Sequence, residues 1–276
     1  MQLPFSLLPR PALASRLSVL ALLLLVWPLT GACQYLRYLK ELNPTMPGTK
    51  PVSHAEFDAL LKKHVDARGL VNYRAFTADS SQLSAYCNRL SSTLPNDQNW
   101  TRNEQLAYWL NAYNAFTIQR VLRGRPSKSI RQLGGDKTLI NTVWDQRFIR
   151  LGPEKYCLND LEQRLIRRRF DEYRIHFALV CASISCPRLR REAYVGARLN
   201  QQLDEQARDF INDPTKNRLT PAAAPQVSEI FDFYPGDFKK NGNSIVKTLN
   251  KYASQPVSPA AKLKYLPYNW NLNQQQ

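Results

Sequence analysis

The sequence predicts a single, helix-rich α+β domain with a small mixed or antiparallel sheet. Three observations predict it. Apolar residues recur at helical spacing behind cap signals. A Gly152-Pro153-Glu154 turn separates two short apolar runs, which reads as a hairpin. An apolar run from Ile175 to Cys181 ends in a small-residue turn, as a strand buried on both faces would. With 276 residues, 43% of them hydrophobic and 11% aromatic, the chain has enough apolar surface for a sizeable core and is not a disordered one. No internal repeat is present.

The first 32 residues hold no acidic residue. Arg10 and Arg16 precede a largely apolar stretch from Leu17 to Leu29, and Thr30-Gly31-Ala32-Cys33 follows. A basic region, a short apolar region and a small-residue site describe a secretory signal over residues 1–32. The apolar run is short for a membrane span, which needs about 20 residues. Gly31-Ala32-Cys33 resembles the end of a bacterial lipoprotein signal, in which the cysteine is lipidated, although Thr30 stands where that pattern has Leu. Simple cleavage after Ala32 is the alternative. On either route the folded part is expected outside the cytoplasm, in the periplasm or on the outer face of a membrane. Residues 33–50 read as a tether broken by Asn43-Pro44 and Pro47-Gly48.

The folded region is expected over residues 51–276. Ser53 and Glu56 form a capping-box pattern before a helix carrying Phe57, Leu60, Leu61, His64 and Val65 on one face. Gly69 ends it. His54 and His64 are read as structural histidines. A second helix carries Leu83, Tyr86, Cys87 and Leu90. Thr101 and Glu104 open a third, with an apolar stripe of Leu106, Trp109, Leu110, Tyr113 and Thr117. On this helix Glu104, Asn111 and Asn114 share another face. Residues 123–146 read as a long connection and residues 148–158 as the hairpin. Asn159 and Glu162 read as the cap of a helix with Leu161, Leu165, Ile166 and Phe170 inward and with Arg164, Arg167, Arg168 and Arg169 mostly toward water. After the 174–187 stretch, Leu199, Leu203, Ala207, Phe210 and Ile211 mark another helix, ended by Asp213-Pro214. A short helix near Ser244–Tyr252 and an aromatic tail from Lys264 to Trp270 complete the chain, the tail docking on the core.

Several of these stretches resemble one family. The matching pieces are Asn103 to Ala115 (NEQLAYWLNAYNA), His176 to Ser183 (HFALVCAS) with Ser185-Cys186-Pro187, Tyr234 to Phe238 (YPGDF), and Tyr265 to Asn273 (YLPYNWNLN). Together they resemble the domain of unknown function 547 over roughly residues 51–276. Phe233 departs from the pattern, which has Trp before the Tyr-Pro-Gly-Asp-Phe motif. The resemblance implies a shared α+β fold and suggests distant kinship with papain-like or transglutaminase-like thiol enzymes. It brings no assigned activity with it.

The candidate chemistry lies in the 174–187 stretch, which holds two of the five cysteines and one of the three histidines. A nucleophilic cysteine needs a base or a depressed pKa, because the thiolate is the reactive form. His176 is the candidate base and Cys181 or Cys186 the candidate nucleophile. Glu104, Asn111 or Asn114 would orient the imidazole. Pro187 fits the first position of a helix, which would set Cys186 at a helix start and offer backbone N–H groups to an oxyanion. The reaction would be hydrolysis or transfer at an amide or ester. The rival expectation is a non-catalytic envelope module, stapled by a Cys181–Cys186 disulfide with Cys87–Cys157 as a second pairing. A metal reading of His176, Cys181 and Cys186 lacks a visible fourth ligand, so no cofactor or metal is expected.

The formal charge of +16 points to an anionic neighbour. Nine arginines fall between Arg164 and Arg198. Anionic lipid or cell-wall polymer is the expected partner, through Arg164, Arg167, Arg168 and Arg169. No zinc-finger spacing, phosphate loop or RNA-binding signature is present, so specific nucleic-acid binding is not expected.

Overall fold

The computed structural model describes residues 42–134 and 142–276, and the domain runs from Asn43 to Gln276. The signal expected over residues 1–32, and Cys33, lie outside the described residues. Three helices begin the domain: α1 (Ala55–His64), α2 (Ser80–Ser92) and α3 (Arg102–Gly124). Helix α1 buries Phe57, Leu60, Leu61 and His64, and α2 buries Leu83, Tyr86, Cys87 and Leu90, as their periodicity predicts. The Ser53/Glu56 capping box does not form. The residue before α1 is His54, which gives no side-chain cap. Its ring instead meets the Tyr86 hydroxyl at 2.7 Å, while His64 pairs with Asp79 at 2.5 Å. Both histidines are therefore held by structural partners.

Helix α3 is the axis of the fold. Its Thr101/Glu104 capping box forms in full. From Gln105 to Gln119 every residue is buried, so this helix is enclosed on all sides rather than on one stripe. It packs against α2, against the segment 160–166 and against the turn at 196–198. That turn comes so close that a Cβ on Gly196 would lie 2.5 Å from Glu104 Cγ. Glu104 is thus committed to the helix start and its neighbour.

The hairpin forms between β1 (Ile149–Leu151) and β2 (Glu154–Tyr156), antiparallel, with Ile149 opposite Tyr156. A second, separate ladder pairs β3 (Gln226–Ser228) in parallel with β4 (Lys264–Leu266). The expected single sheet is therefore two two-stranded ones. Helix α4 (Leu199–Asn212) follows its predicted stripe, and α5 (Ile245–Tyr252) is capped by Ser244. Phe177, Phe210, Phe231 and Phe238 stack together with Ile211 and Leu249 in a core beneath the 173–187 stretch. Among the described residues no helix is long and apolar enough to cross a membrane.

The largest departure is that stretch itself. It is not a strand. Tyr173–Phe177 is a 3₁₀ helix, begun by the Glu172 carboxylate accepting the Arg174 N–H at 3.0 Å. Residues 178–181 then run without a ladder. A short apolar run is equally compatible with a buried strand and with a buried helical piece, and here side chains replace the sheet. Gln206 Nε2 donates to Phe177 O at 2.8 Å, Asn114 Nδ2 donates to Ala178 O at 3.0 Å, and Asn114 Oδ1 accepts from Val180 N at 3.0 Å. The buried backbone is satisfied by amide side chains of α3 and α4. No helix starts at Pro187 either. The chain is irregular until Gly196, so Cys186 has no helix terminus beside it.

The predicted cap at Asn159 is also absent, and residues Asp160–Ile166 wind as a π-helix. Such wider turns are rare and frequent near functional sites. This winding removes the expected solvent face of the arginine cluster. Arg164 is buried and pairs with Asp160 at 3.0 Å. Arg167 pairs with Asp237 at 2.6 Å and lies over the Tyr234 ring. Arg169 donates to Gln105 at 3.4 Å, and only Arg168 of the four is exposed. A four-arginine binding face is therefore not assembled.

Candidate functional site

Three reactive groups line one cavity of 220 Å³: the Cys181 and Cys186 thiols and the His176 imidazole, which Asp237 backs from outside the lining. The loop that brings the cysteines together is bent at Ala182, whose φ of 63° lies in the left-handed region that a side chain ordinarily avoids. The bend sets Cys181 Sγ 2.9 Å from Cys186 Sγ. Cys87, Cys181 and Cys186 all carry thiols, so neither expected disulfide is closed.

The C-terminal segment straps this loop in place. Ile184 N donates to Asn271 O at 2.7 Å, Ser185 N to Asn269 O at 3.2 Å, and Asn273 N to Ala182 O at 3.2 Å. The strap carries Tyr268 into the site. Its hydroxyl lies 3.3 Å from Cys186 Sγ and 3.2 Å from Ser183 Oγ. Cys186 Sγ is also 3.2 Å from Ser183 Oγ and accepts the Cys181 backbone N–H at 3.1 Å. Behind the loop, Lys216 donates its ammonium to Ile184 O.

These contacts split the two thiols. Burial opposes ionising Cys186, but hydrogen bonds from the Cys181, Ser183 and Tyr268 side chains outweigh it and push its pKa below the usual 9. Cys181, giving its hydrogen bond to that sulfur and buried beside its charge, is pushed well up. The pair therefore holds one proton and one negative charge near neutrality. Burial and the negative charge of the neighbouring cysteine pair push the Tyr268 pKa up, so it remains a donor. Cys186 is only 3% exposed, while Cys181 is the more accessible of the two.

His176 Nε2 meets Asp237 Oδ2 at 2.8 Å, and the ring stacks on Tyr234 with 3.9 Å between centroids. Burial holds the His176 pKa below 6.5 against the pull of Asp237 and Glu162. Asp237 is driven far below the ordinary carboxylate range, its burial overcome by hydrogen bonds from His176 and Arg167. A neutral imidazole beside a carboxylate places its proton on Nε2, toward Asp237. Nδ1 then carries a lone pair, the tautomer that a general base needs.

The orienting group is thus Asp237, and none of the three expected from the sequence. Glu104 is occupied in its capping box, with Thr101 N donating to it at 2.8 Å. Asn114 clamps the backbone leading to Cys181. Asn111 does the same further on, donating to Tyr194 O at 2.8 Å and accepting from Tyr194 N at 2.9 Å. Both asparagines position the chain and leave the imidazole alone. Asp237 and Tyr268 sit inside two motifs of the family resemblance, the Tyr-Pro-Gly-Asp-Phe and Tyr-Leu-Pro-Tyr-Asn-Trp stretches. That was the only signal for them. Glu162 and Tyr234 complete the cavity's polar wall, with Tyr234 OH donating to Glu162 Oε1 at 2.6 Å. Among the described residues no group of His, Cys, Asp and Glu is arranged to hold a metal ion.

Fold and site together define a helix-rich α+β domain with a cysteine pair and an aspartate-backed histidine on one cavity. The chain carries a DUF547 domain: residues 98–211 match the model of the family described as protein of unknown function, DUF547. That span holds α3, the hairpin, the cysteine loop and all but the last residue of α4, and ends before Asp237 and Tyr268. No curated protein and no solved structure matches the chain.

Proposed function

We propose that this protein is an exported, cysteine-dependent hydrolase or acyltransferase acting on an amide or ester. The observation that carries the reading is the shared cavity, lined by an ionisable cysteine pair and by a histidine already partnered with a carboxylate. Cys181, the more accessible thiol, is the nucleophile. Its proton passes to the Cys186 thiolate as its sulfur attacks the acyl carbon, and Cys186 returns that proton to the leaving amine or alcohol. A thioester on Cys181 results. In the second half, His176 takes a proton from the incoming water or amine, Asp237 steadies the imidazolium, and the proton returns to the Cys181 sulfur as the acyl group leaves. Export rests on the basic, apolar and small-residue pattern of residues 1–32.

The test is acylation by p-nitrophenyl acetate, followed by peptide mapping. The reading expects a burst with the acetyl group on Cys181, abolished in Cys181→Ser while the unfolding midpoint stays nearly unchanged. Acetylation confined to lysines, or unaffected by Cys181→Ser, contradicts it. Amino-terminal mapping of the protein recovered from cells tests export, which is refuted if residues 1–32 remain and the protein stays cytoplasmic.

The 2.9 Å contact between the two sulfurs favours a second reading, a binding module whose pair closes as a disulfide. A disulfide oxidant such as oxidised glutathione would take up the two electrons and the pair's one proton, leaving as one glutathione thiol and one glutathione thiolate. Thiols at Cys181 and Cys186 that become available only after reduction would favour this reading over the first.

A further inference from the structure

The cavity is anionic in a strongly basic protein. The chain carries +16, yet no lysine or arginine lines this cavity among the described residues. Its charged groups are the cysteine pair and Glu162. Of the nearby carboxylates, Asp237 is neutralised by Arg167 at 2.6 Å and Lys240 at 3.3 Å. Glu162 has no ion-pair partner among the described residues. It is only 7% exposed, and its Oε1 takes both hydrogen bonds, from Tyr234 OH at 2.6 Å and Gln163 Nε2 at 3.0 Å. No donor among the described residues reaches Oε2. Oε2 is not among the buried unmet polar atoms, so it keeps access to the cavity, where a donor can reach it; a carboxylate so nearly buried without a countercharge costs free energy. The π-helical winding of residues 160–166 is what sets this side chain on the cavity wall.

Six aromatic rings, Tyr113, Trp144, Phe233, Tyr234, Tyr268 and Trp270, line the cavity together with Asn159 and the apolar Leu179, Pro187 and Ile230. Such rings attract cations through their faces. This chain's own cations already use two of them, Arg131 over Trp270 at 5.3 Å and Arg167 over Tyr234 at 4.9 Å. An anionic or neutral polar substrate would leave Glu162 unpaired. A protonated amine would meet Oε2 and lie among rings.

We propose that Glu162 and the aromatic wall form a subsite for a protonated amino group, so that the substrate of this cavity is a cationic amine such as a lysine-like side chain or the free amine of a peptide. This deepens the acyl-transfer reading and rests on it for the word substrate, but the subsite itself is testable apart from any reaction.

The probes are pentylammonium, pentanol and pentanoate, titrated into the intact domain by calorimetry. Pentylammonium is expected to bind, with pentanol and pentanoate at least tenfold weaker. Glu162→Gln, which keeps the hydrogen-bonding shape, is expected to weaken pentylammonium at least about tenfold, as loss of one close charge in a partly screened site would. Equal affinities for pentylammonium and pentanol, or no effect of Glu162→Gln in a variant with unchanged unfolding midpoint, overturn the subsite. A second measurement separates this failure from that of the thiol reading. Rates of Cys181 modification are compared for a trimethylammonium-bearing, a sulfonate-bearing and an uncharged methanethiosulfonate. With each charged rate taken relative to the uncharged reagent in the same protein, the cation-to-anion ratio is expected to fall at least about tenfold in Glu162→Gln. Normal reaction with the uncharged reagent and an unchanged ratio sinks the subsite alone. No reaction with any reagent sinks the thiol reading, while the calorimetry still decides the subsite.

Discussion

Replacing Asn114 by Ala tests how the site is held together. The amide of Asn114 grips both Ala178 O and Val180 N, each at 3.0 Å, just before Cys181. Asn114 is buried, so water cannot take its place without opening the core. Alanine leaves one backbone acceptor and one donor unmet, each costing about 1–3 kcal/mol. A small gain in helix propensity, about 0.5 kcal/mol, offsets part of this. We expect a net loss of about 2–5 kcal/mol in urea unfolding, and a fall in Tm of about 2–4 °C per kcal/mol for a domain of this size. Asn111→Ala is the matched control, because Asn111 makes the same two bonds to Tyr194. Both variants should lose similar stability. Only Asn114→Ala should slow thiol labelling at the cysteine pair, since its clamp abuts that loop. If Asn114→Ala keeps its stability within about 0.5 kcal/mol yet abolishes labelling or turnover, the clamp reasoning is wrong and the amide acts on the chemistry directly.

Tyr268→Phe keeps the ring against Phe233 and Trp270 but removes a donor to Cys186. The labelling pKa of the pair should rise by about 1 unit, the worth of one hydrogen bond to a charged group; an unchanged titration refutes the assigned donor. Asp237→Asn should lower stability in a pH-dependent way. The Asp237 pKa is depressed on folding from 3.8, so its stabilisation is complete above that value and fades as pH falls toward the folded pKa. The gap between wild type and variant, by urea unfolding, should be full at neutral pH and narrow below about pH 4; a gap that widens on acidification contradicts the ion pair. Burial pushes the Cys87 thiol up to about 12, so Cys87 should stay unlabelled in the native state and react only on unfolding.

The helices were legible because their evidence is local. The stripes of α1, α2 and α4 and the Thr101/Glu104 box of α3 depend on residues within a few positions of each other. His176, Cys181 and Cys186 were legible as a cluster of uncommon reactive types, and they do line one cavity. What failed depended on distant partners. The 174–181 run looked like a strand because nothing in it shows that Asn114 and Gln206 supply its hydrogen bonds from other helices. The arginine-rich segment looked like a solvent face because the acceptors Asp160 and Asp237 and the π-helical winding are not visible in its periodicity. Asp237 comes 61 residues after its histidine, and Tyr268 82 residues after Cys186. No spacing rule connects such pairs; only the fold does.

The acyl-transfer chemistry proposed for this site requires Cys181 and Cys186 to share one thiolate at neutral pH in the cavity that His176 lines. The most direct measurement is iodoacetamide labelling of the reduced, native protein across pH, with peptide mapping. We expect modification at this pair with a titration below the ordinary thiol value of 9, while Cys87 stays silent. Labelling that rises only near pH 9, or appears only once the protein is unfolded, would contradict it.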